Sequence, residues 1–414
     1  MRVSRAWVVR VLLPAALFSL GGAALVGCKS GDEGGGGGSA SGGGSAGGTG
    51  DILVGHFASL KGKTATFGIE TDQGVRLAME ELNAAGGVNG RKFRVETQDD
   101  RSLPEEAKTV VERFAANDRI VAVLGEVAST RSLFAAPVLQ RAKIPMISPS
   151  STNPEVTRKG DYIFRVCFID PFQGYVMAKF ALENLKIERA AILRDQQNDY
   201  SVGLADVFRR EFEKMGGRIV ADASYKEGDA DFRAQLAQIK AANPEGLYVP
   251  GYYGDIGTIA RQARETGITA PLMGGDGWDS SKLVEGAGGP GKALEGCYFS
   301  NHYSKDDKSE RVQNFVKAYA ARYKGETPSG LAALGYDAMM ILADAIKRAG
   351  STDRKAIRDA LAATQNFPGV TGDITIDEER NARKPAVVLQ IQGNQFVYRE
   401  NVEPSGPDAT ASAR

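Results

Sequence analysis

The chain has 414 residues, with 51 basic against 51 acidic side chains, 42% hydrophobic residues, two histidines and three cysteines. Balanced charge argues against nucleic acid as a partner, since such binders carry a basic excess. The scarcity of His and Cys, with no CxxC or HExxH spacing, argues against a zinc site. No cofactor and no metal are therefore expected.

The N-terminus carries Arg2, Arg5 and Arg10, then an apolar run over 11–26 that ends in Leu25-Val26-Gly27-Cys28. This is the layout of a signal peptide over residues 1–27. A retained membrane span fits less well, because the run is followed by Lys29, Ser30 and a glycine tract rather than by a folded domain. Leu-Val-Gly-Cys resembles the bacterial lipobox, which implies lipidation of Cys28 as the mature N-terminus; an ordinary signal peptide with an incidental cysteine is the alternative. Two acyl chains would suffice for stable anchoring, so the expected location is the periplasm or the cell surface, held to a membrane by lipid. Loss of the three arginines would leave the mature chain at about −3.

Residues 28–50 form a Gly/Ser-rich linker with almost no side chain able to bury area, which predicts a flexible tether. Gly43-Gly44-Ser45-Ala46-Gly47 matches a hydrolase nucleophile motif in letters only, since no strand or helix there could strain the serine.

The body, from Asp51 to about Pro404, is long enough for two cores of ordinary size. The segments ILVGHF, a helix from Gly74 to Ala85, KFRVETQDD, PEEAKTVVERFAAN, IVAVLGE, a helix from Arg131 to Ala142, and IPMISP alternate β and α signals. That alternation predicts a parallel sheet with crossover helices. After Asp170-Pro171 a second series begins, with strands in AAILRD, IVADASY, GLYVPG and PLMGGD and helices between them. Two long helices, RVQNFVKAYAARYK and LAALGYDAMMILADAIKRAG, a third near DRKAIRDALAAT, and a β-rich end follow. The fold class read from this order is α/β, with two Rossmann-like lobes. Residues 405–414 are expected to be disordered. Cys167 and Cys297 sit in apolar strand-like stretches and are read as buried thiols rather than a disulfide.

Ligands of open α/β sheets bind beyond the carboxyl ends of the strands, where helix N-termini point amides outward. After IVAVLGE comes Val127-Ala128-Ser129-Thr130, which suits either plain capping or the capture of a carboxylate. The next strand ends in Ser148-Pro149-Ser150-Ser151-Thr152-Asn153-Pro154, a second hydroxyl-rich turn. In the second series Tyr200, Tyr252 with Tyr253, and Asp276 each follow a strand. Taken singly, tyrosines more often pack and a carboxylate at a strand end is more often solvated or a cap.

These segments resemble the leucine/isoleucine/valine-binding protein family, the amino-acid-binding components of ABC importers with the type I periplasmic fold. The resemblance is carried by VGHFASLKGKTATFGIETDQGVRLAMEELNAAGGVNGRKFRVETQDD, GEVASTRS, ISPSSTNPEVTRKGDYIFR, the strand ending at Tyr200, and GYYGDIGTIARQARETG with MGGDG, and spans most of residues 51–400. It implies that Ser129, Ser150 and Thr152 hold a ligand α-carboxylate, that Asp276 faces the ammonium group, that Phe67 borders the side-chain pocket, and that Tyr200 and Tyr252 cover the ligand. It also implies a three-segment hinge, with passages near Asp170, Tyr303 and Gly372. The lobes would then comprise residues 51–170 with 303–372 and residues 171–302 with 373–404. Branched-chain binders carry Glu where this chain has Asp276, and one extra residue precedes Tyr200, so the ligand can differ.

The expected function is capture of an amino acid by a monomer that serves an ABC permease. The alternative is a sensor of amino acids or short amides, against which stands the lack of a fused output domain. Catalysis is not expected. Gly62-Lys63-Thr64 lacks the first glycine of a phosphate loop, because that position is Phe57, and His56 and His302 have no evident nucleophile as partner in the sequence.

Overall fold

A computed structural model describes residues 50–404, apart from 290 and 292. The expected signal peptide, Cys28, the linker up to residue 49 and the tail 405–414 lie outside the described residues.

The first sheet is built from β1 (Ile52–Ala58), β2 (Phe93–Asp99), β3 (Ile120–Leu124), β4 (Met146–Ser148) and β5 (Ile163–Arg165). Its order is β2-β1-β3-β4-β5, and every pairing is parallel. β1 and β3 are buried along their whole length, as strands covered by helices on both faces must be. The covering helices in this half are α1 (Ala65–Ala84), α2 (Pro104–Ala115) and α3 (Ser129–Arg141).

The chain then runs into α4 (Asp170–Glu183) and the second series: β6 (Arg189–Asp195), α5 (Asp199–Lys214), β7 (Arg218–Tyr225), α6 (Arg233–Ala241), β8 (Gly246–Tyr248), α7 (Tyr253–Thr266), β9 (Leu272–Gly274), α8 (Lys282–Gly286) and β10 (Tyr298–Asn301). It returns to the first lobe through α9 (Glu310–Arg322), α10 (Gly330–Ala349) and α11 (Arg354–Ala362). Two contacts fix that return: α10 lies on α1, and the Arg354 guanidinium donates to the Ile120 carbonyl at 3.0 Å where β3 begins. A small sheet of β11 (Phe367–Gly369), β12 (Gly372–Ile376) and β13 (Ala382–Arg383) follows. Last come β14 (Ala386–Gln392) and β15 (Gln395–Val402), a hairpin added antiparallel to the second sheet. The second sheet runs β15-β14-β10-β9-β8-β6-β7.

Two features differ from the sequence reading. The first long helix begins at Ala65, not near Gly74. Gly68 and Gly74, which resemble helix breakers in sequence, are sites of close approach: a Cβ on Gly68 would lie 2.1 Å from the Ser59 carbonyl oxygen, and one on Gly74 would lie 1.9 Å from that of Ala332. The third passage between lobes also falls later than Gly372. The small sheet stays with the first lobe, where Thr157 Oγ1 donates to Asn381 at 3.0 Å, the Arg165 amide donates to the Arg380 carbonyl at 3.3 Å, and the Val370 amide donates to Asp337 at 2.7 Å. Only at Ala386 does the chain pair with the second sheet. Cys167 and Cys297 are buried free thiols, and among the described residues no helix is long and apolar enough to cross a membrane.

Candidate functional site

The carboxyl ends of the strands in both sheets meet at one small cavity. Phe67, Ser129, Ser150, Tyr200, Tyr252 and Asp276 line it, together with Val127, Gly277 and Leu331. The lobes close on it almost completely: its free volume is about 10 Å³, on the order of one water, so a ligand enters only when the lobes part. Six of the seven residues singled out in sequence are thus brought together. Thr152 is not among the lining residues; its hydroxyl is buried without a hydrogen-bond partner among the described residues.

On the first-lobe side, the loop before α3 is pinned from within. Glu126 is fully buried and accepts from the Ala128 amide at 2.5 Å, from Arg131 Nε at 2.9 Å and from Ser59 Oγ at 3.1 Å. Asp100 lies 4.0 Å from Arg131, and burial, with Glu126 nearby, raises its carboxyl to about 7. The hydroxyls of Ser129 and Thr130 do not cap α3, which has no side-chain cap. Ser129 Oγ accepts from the Asn153 amide at 3.2 Å, and Thr130 Oγ1 accepts from the Asp199 amide of the second lobe at 3.2 Å. The first-turn amides of α3 have no intrahelical acceptor, the situation that anion sites at helix starts use.

The hydroxyl-rich turn after β4 is largely self-contained. Ser148 and Ser151 donate to the Glu126 carbonyl at 2.7 and 2.8 Å, which leaves Ser150 as the serine turned to the cavity. The main chain of the turn is held by Arg165, fully buried at the end of β5, which donates to the carbonyls of Ser151 and Asn153.

On the second-lobe side, Asp276 opens a short 3-10 turn after β9. The turn is fixed by Trp278 Nε1, which donates to the Val249 carbonyl at 3.0 Å. Glycines beside it permit close packing: a Cβ on Gly275 would lie 2.4 Å from the Tyr200 hydroxyl. Asp276 is 5% exposed. Its Oδ2 accepts from Ser150 Oγ at 3.1 Å, across the cleft, and from His302 Nε2 at 3.0 Å. Its Oδ1 is buried and has no hydrogen-bond partner among the described residues. Burial pushes His302 down to about 4, against the pull of Asp276, so the imidazole is neutral at ordinary pH.

The walls are aromatic. Tyr200 and Tyr252 stack with centroids 5.3 Å apart and planes 8° apart, and Phe67 meets Tyr252 edge-on at 5.5 Å. The Tyr200 hydroxyl accepts from the Gly277 amide at 3.2 Å. The cavity therefore presents amides and hydroxyls on one side, a carboxylate on the other and flat apolar surfaces between them. Such a set can hold a small zwitterion with an apolar body.

Sequence reasoning missed Leu331 and His302. Leu331 reaches the cavity from α10, which returns to the first lobe long after the strands that form the site. His302, which has no evident partner in sequence, finds Asp276 through the fold. Val127 and Gly277 flank residues that were identified, and a loop-wide reading would have included them.

The sequence model of the periplasmic binding protein family matches residues 51–395. The Leu/Ile/Val-binding protein homolog 1 of Brucella abortus is 32% identical over 341 residues, 82% of this chain and 90% of the relative. Among solved structures, a leucine-binding protein of Thermotoga maritima superposes with a TM-score of 0.81 at 38% identity, covering 85% of this chain and 99% of the other. A branched-chain amino acid transporter substrate-binding protein of Streptococcus pneumoniae, solved in complex with isoleucine, superposes with a TM-score of 0.81 at 34% identity, covering 86% of this chain and 100% of the other. With its two lobes of parallel sheet flanked by helices and strand ends converging on one cleft, the chain belongs to the periplasmic binding protein family.

Proposed function

We propose that this protein is the substrate-binding component of an ABC importer, which captures an amino acid, branched-chain or related, between two closing lobes. One observation carries the reading: hydroxyls of the first lobe face Asp276 of the second lobe inside an aromatic cavity, and Asp276 keeps one buried oxygen without a partner. A ligand carboxylate would take the amides and the Ser129 hydroxyl, and its ammonium would take Asp276. Only the closed arrangement satisfies both charges, so ligand binding favours closure by differential contact. The isoleucine complex of the Streptococcus relative supports an amino acid as ligand. No residue of the site has a nucleophile's role, and the reading is one of binding without catalysis.

The same reading has the signal peptide over 1–27 removed and Cys28 lipidated, with the monomeric body tethered near a permease. Replacing Cys28→Ser should shift the protein from the membrane fraction to the soluble one; unchanged fractionation would refute the anchor.

The ligand is tested by thermal-shift screening of residues 51–404 against amino acids and short amides, since a ligand that binds only the folded state raises its stability. Stabilisation by one amino acid, with a loss of about 2–5 kcal/mol of binding energy in Asp276→Ala, is the expected result. A ligand set lacking any amine, or unchanged calorimetric affinity in the variant, would sink the reading.

A further inference from the structure

Asp276 does not stand alone. One of its oxygens, Oδ2, is held by two donors, Ser150 Oγ at 3.1 Å and His302 Nε2 at 3.0 Å. A carboxylate only accepts, so the proton on His302 lies at Nε2. His302 Nδ1 is buried without a partner among the described residues, so a second proton there would find no acceptor. The ring has no exposed surface and stacks on Phe168 with centroids 3.7 Å apart and planes 25° apart. The charged groups acting on it are Asp276 and, more weakly, Lys384. Burial keeps the imidazole uncharged down to about pH 4. Asp276 forms no ion pair with a lysine or arginine among the described residues. The carboxylate is thus oriented but not neutralised.

This arrangement bears on selectivity. A protonated histidine or a lysine in the same place would meet the charge of Asp276 and remove the reason for a cationic ligand. A residue without a donor would free the carboxylate to rotate and would leave Oδ2 short of one bond. Resting on the amino-acid reading above, we propose that His302 is a positioning residue for the ligand's amine: its Nε2–H fixes Asp276 Oδ2, so that the buried, unpartnered Oδ1 is left as the acceptor for a cationic amine. His302 also lies at a crossing between the lobes. It lies on the passage that follows β10, and Phe168 lies on the passage that follows β5, so the group that orients Asp276 is itself seated where the chain crosses between lobes.

The test separates orientation from packing. His302→Phe keeps an aromatic ring against Phe168 but removes the donor, whereas His302→Gln keeps a donor and removes the ring. Calorimetry with leucine and with its deaminated analogue 4-methylpentanoate reads the amine preference directly. His302→Phe should bind leucine about ten- to a hundred-fold more weakly, leave affinity for 4-methylpentanoate unchanged, and so lose amine preference by the same factor. His302→Gln should recover a substantial part of it. Wild-type leucine affinity and preference in the Phe variant would overturn the proposal. So would equal loss for both probes, which marks a packing role.

Should the Phe variant fail to fold, nitrogen-15 NMR of the wild-type histidines still decides. Nε2–H with a bare Nδ1, and no titration of His302 between pH 5.5 and 8, is expected; the opposite tautomer would overturn the proposal. If the wild-type protein binds no amino acid at all, the importer reading fails on its own, and the NMR result still decides whether His302 orients Asp276.

Discussion

Asp170 illustrates how single residues in the hinge region carry a cost that depends on pH. It is fully buried, and burial raises its carboxyl to about 7, although the Gln173 amide opposes the shift. The ordinary value of an unfolded Asp is lower, so between about pH 4 and 7 the folded state binds more protons than the unfolded state. The contribution of this residue to stability is therefore present at low pH and declines as pH rises through that window. Asp170→Asn should gain melting temperature relative to wild type at pH 8 compared with pH 5; a constant difference at both pH values would refute the shift. At this scale the sequence was legible wherever a side chain follows directly on a strand end, as for Ser129, Ser150, Tyr200, Tyr252 and Asp276. It was not legible for Thr152, which the fold buries away from the cavity, or for His302, whose partner is brought near only by tertiary structure.

Between elements, the tightest junction is that of α1 and α10. Gly74 sits against the Ala332 carbonyl, and Gly335 against Thr71, where an added Cβ would lie 2.4 Å from the carbonyl oxygen. Gly74→Ala should therefore force the helices apart and cost about 1–3 kcal/mol, read as a fall in the urea midpoint without change in slope. Because Leu331 in α10 lines the cavity, ligand affinity should fall with it; a variant as stable and as tight as wild type would contradict the packing. The alternation of α and β signals made most elements legible, since parallel strands are short, apolar and separated by helical periods. The start of α1 was not, because a glycine required by a neighbouring carbonyl is indistinguishable in sequence from one that ends a helix. The third passage was not either, because the small sheet reads as a β-rich continuation of the second lobe.

Across the whole molecule, the lobes touch at the rim as well as at Asp276. Asn153 Nδ2 donates to the Asp199 carbonyl at 2.9 Å, Thr130 Oγ1 accepts from the Asp199 amide at 3.2 Å, and Lys63 Nζ donates to the Glu227 carbonyl at 3.1 Å. None of these groups lines the cavity. The double variant Thr130→Val with Asn153→Ala should therefore raise the ligand's dissociation rate about tenfold, from two hydrogen bonds of about 1 kcal/mol or less each, with little change in association rate. Equal dissociation rates by stopped flow would show that the rim does not hold the closed form.

The buried Arg165 gives the turn after β4 a further property. It grips that turn through main-chain carbonyls, which every amino acid possesses, and not through the side chains at positions 150 and 152. The shape of the turn and the chemistry it displays are in this way separable. Such a scaffold lets ligand preference drift by substitution at a few displayed positions while the frame stays folded. A library randomised at 150, the turn position that lines the cavity, should retain cooperative unfolding in most members even where leucine binding is gone.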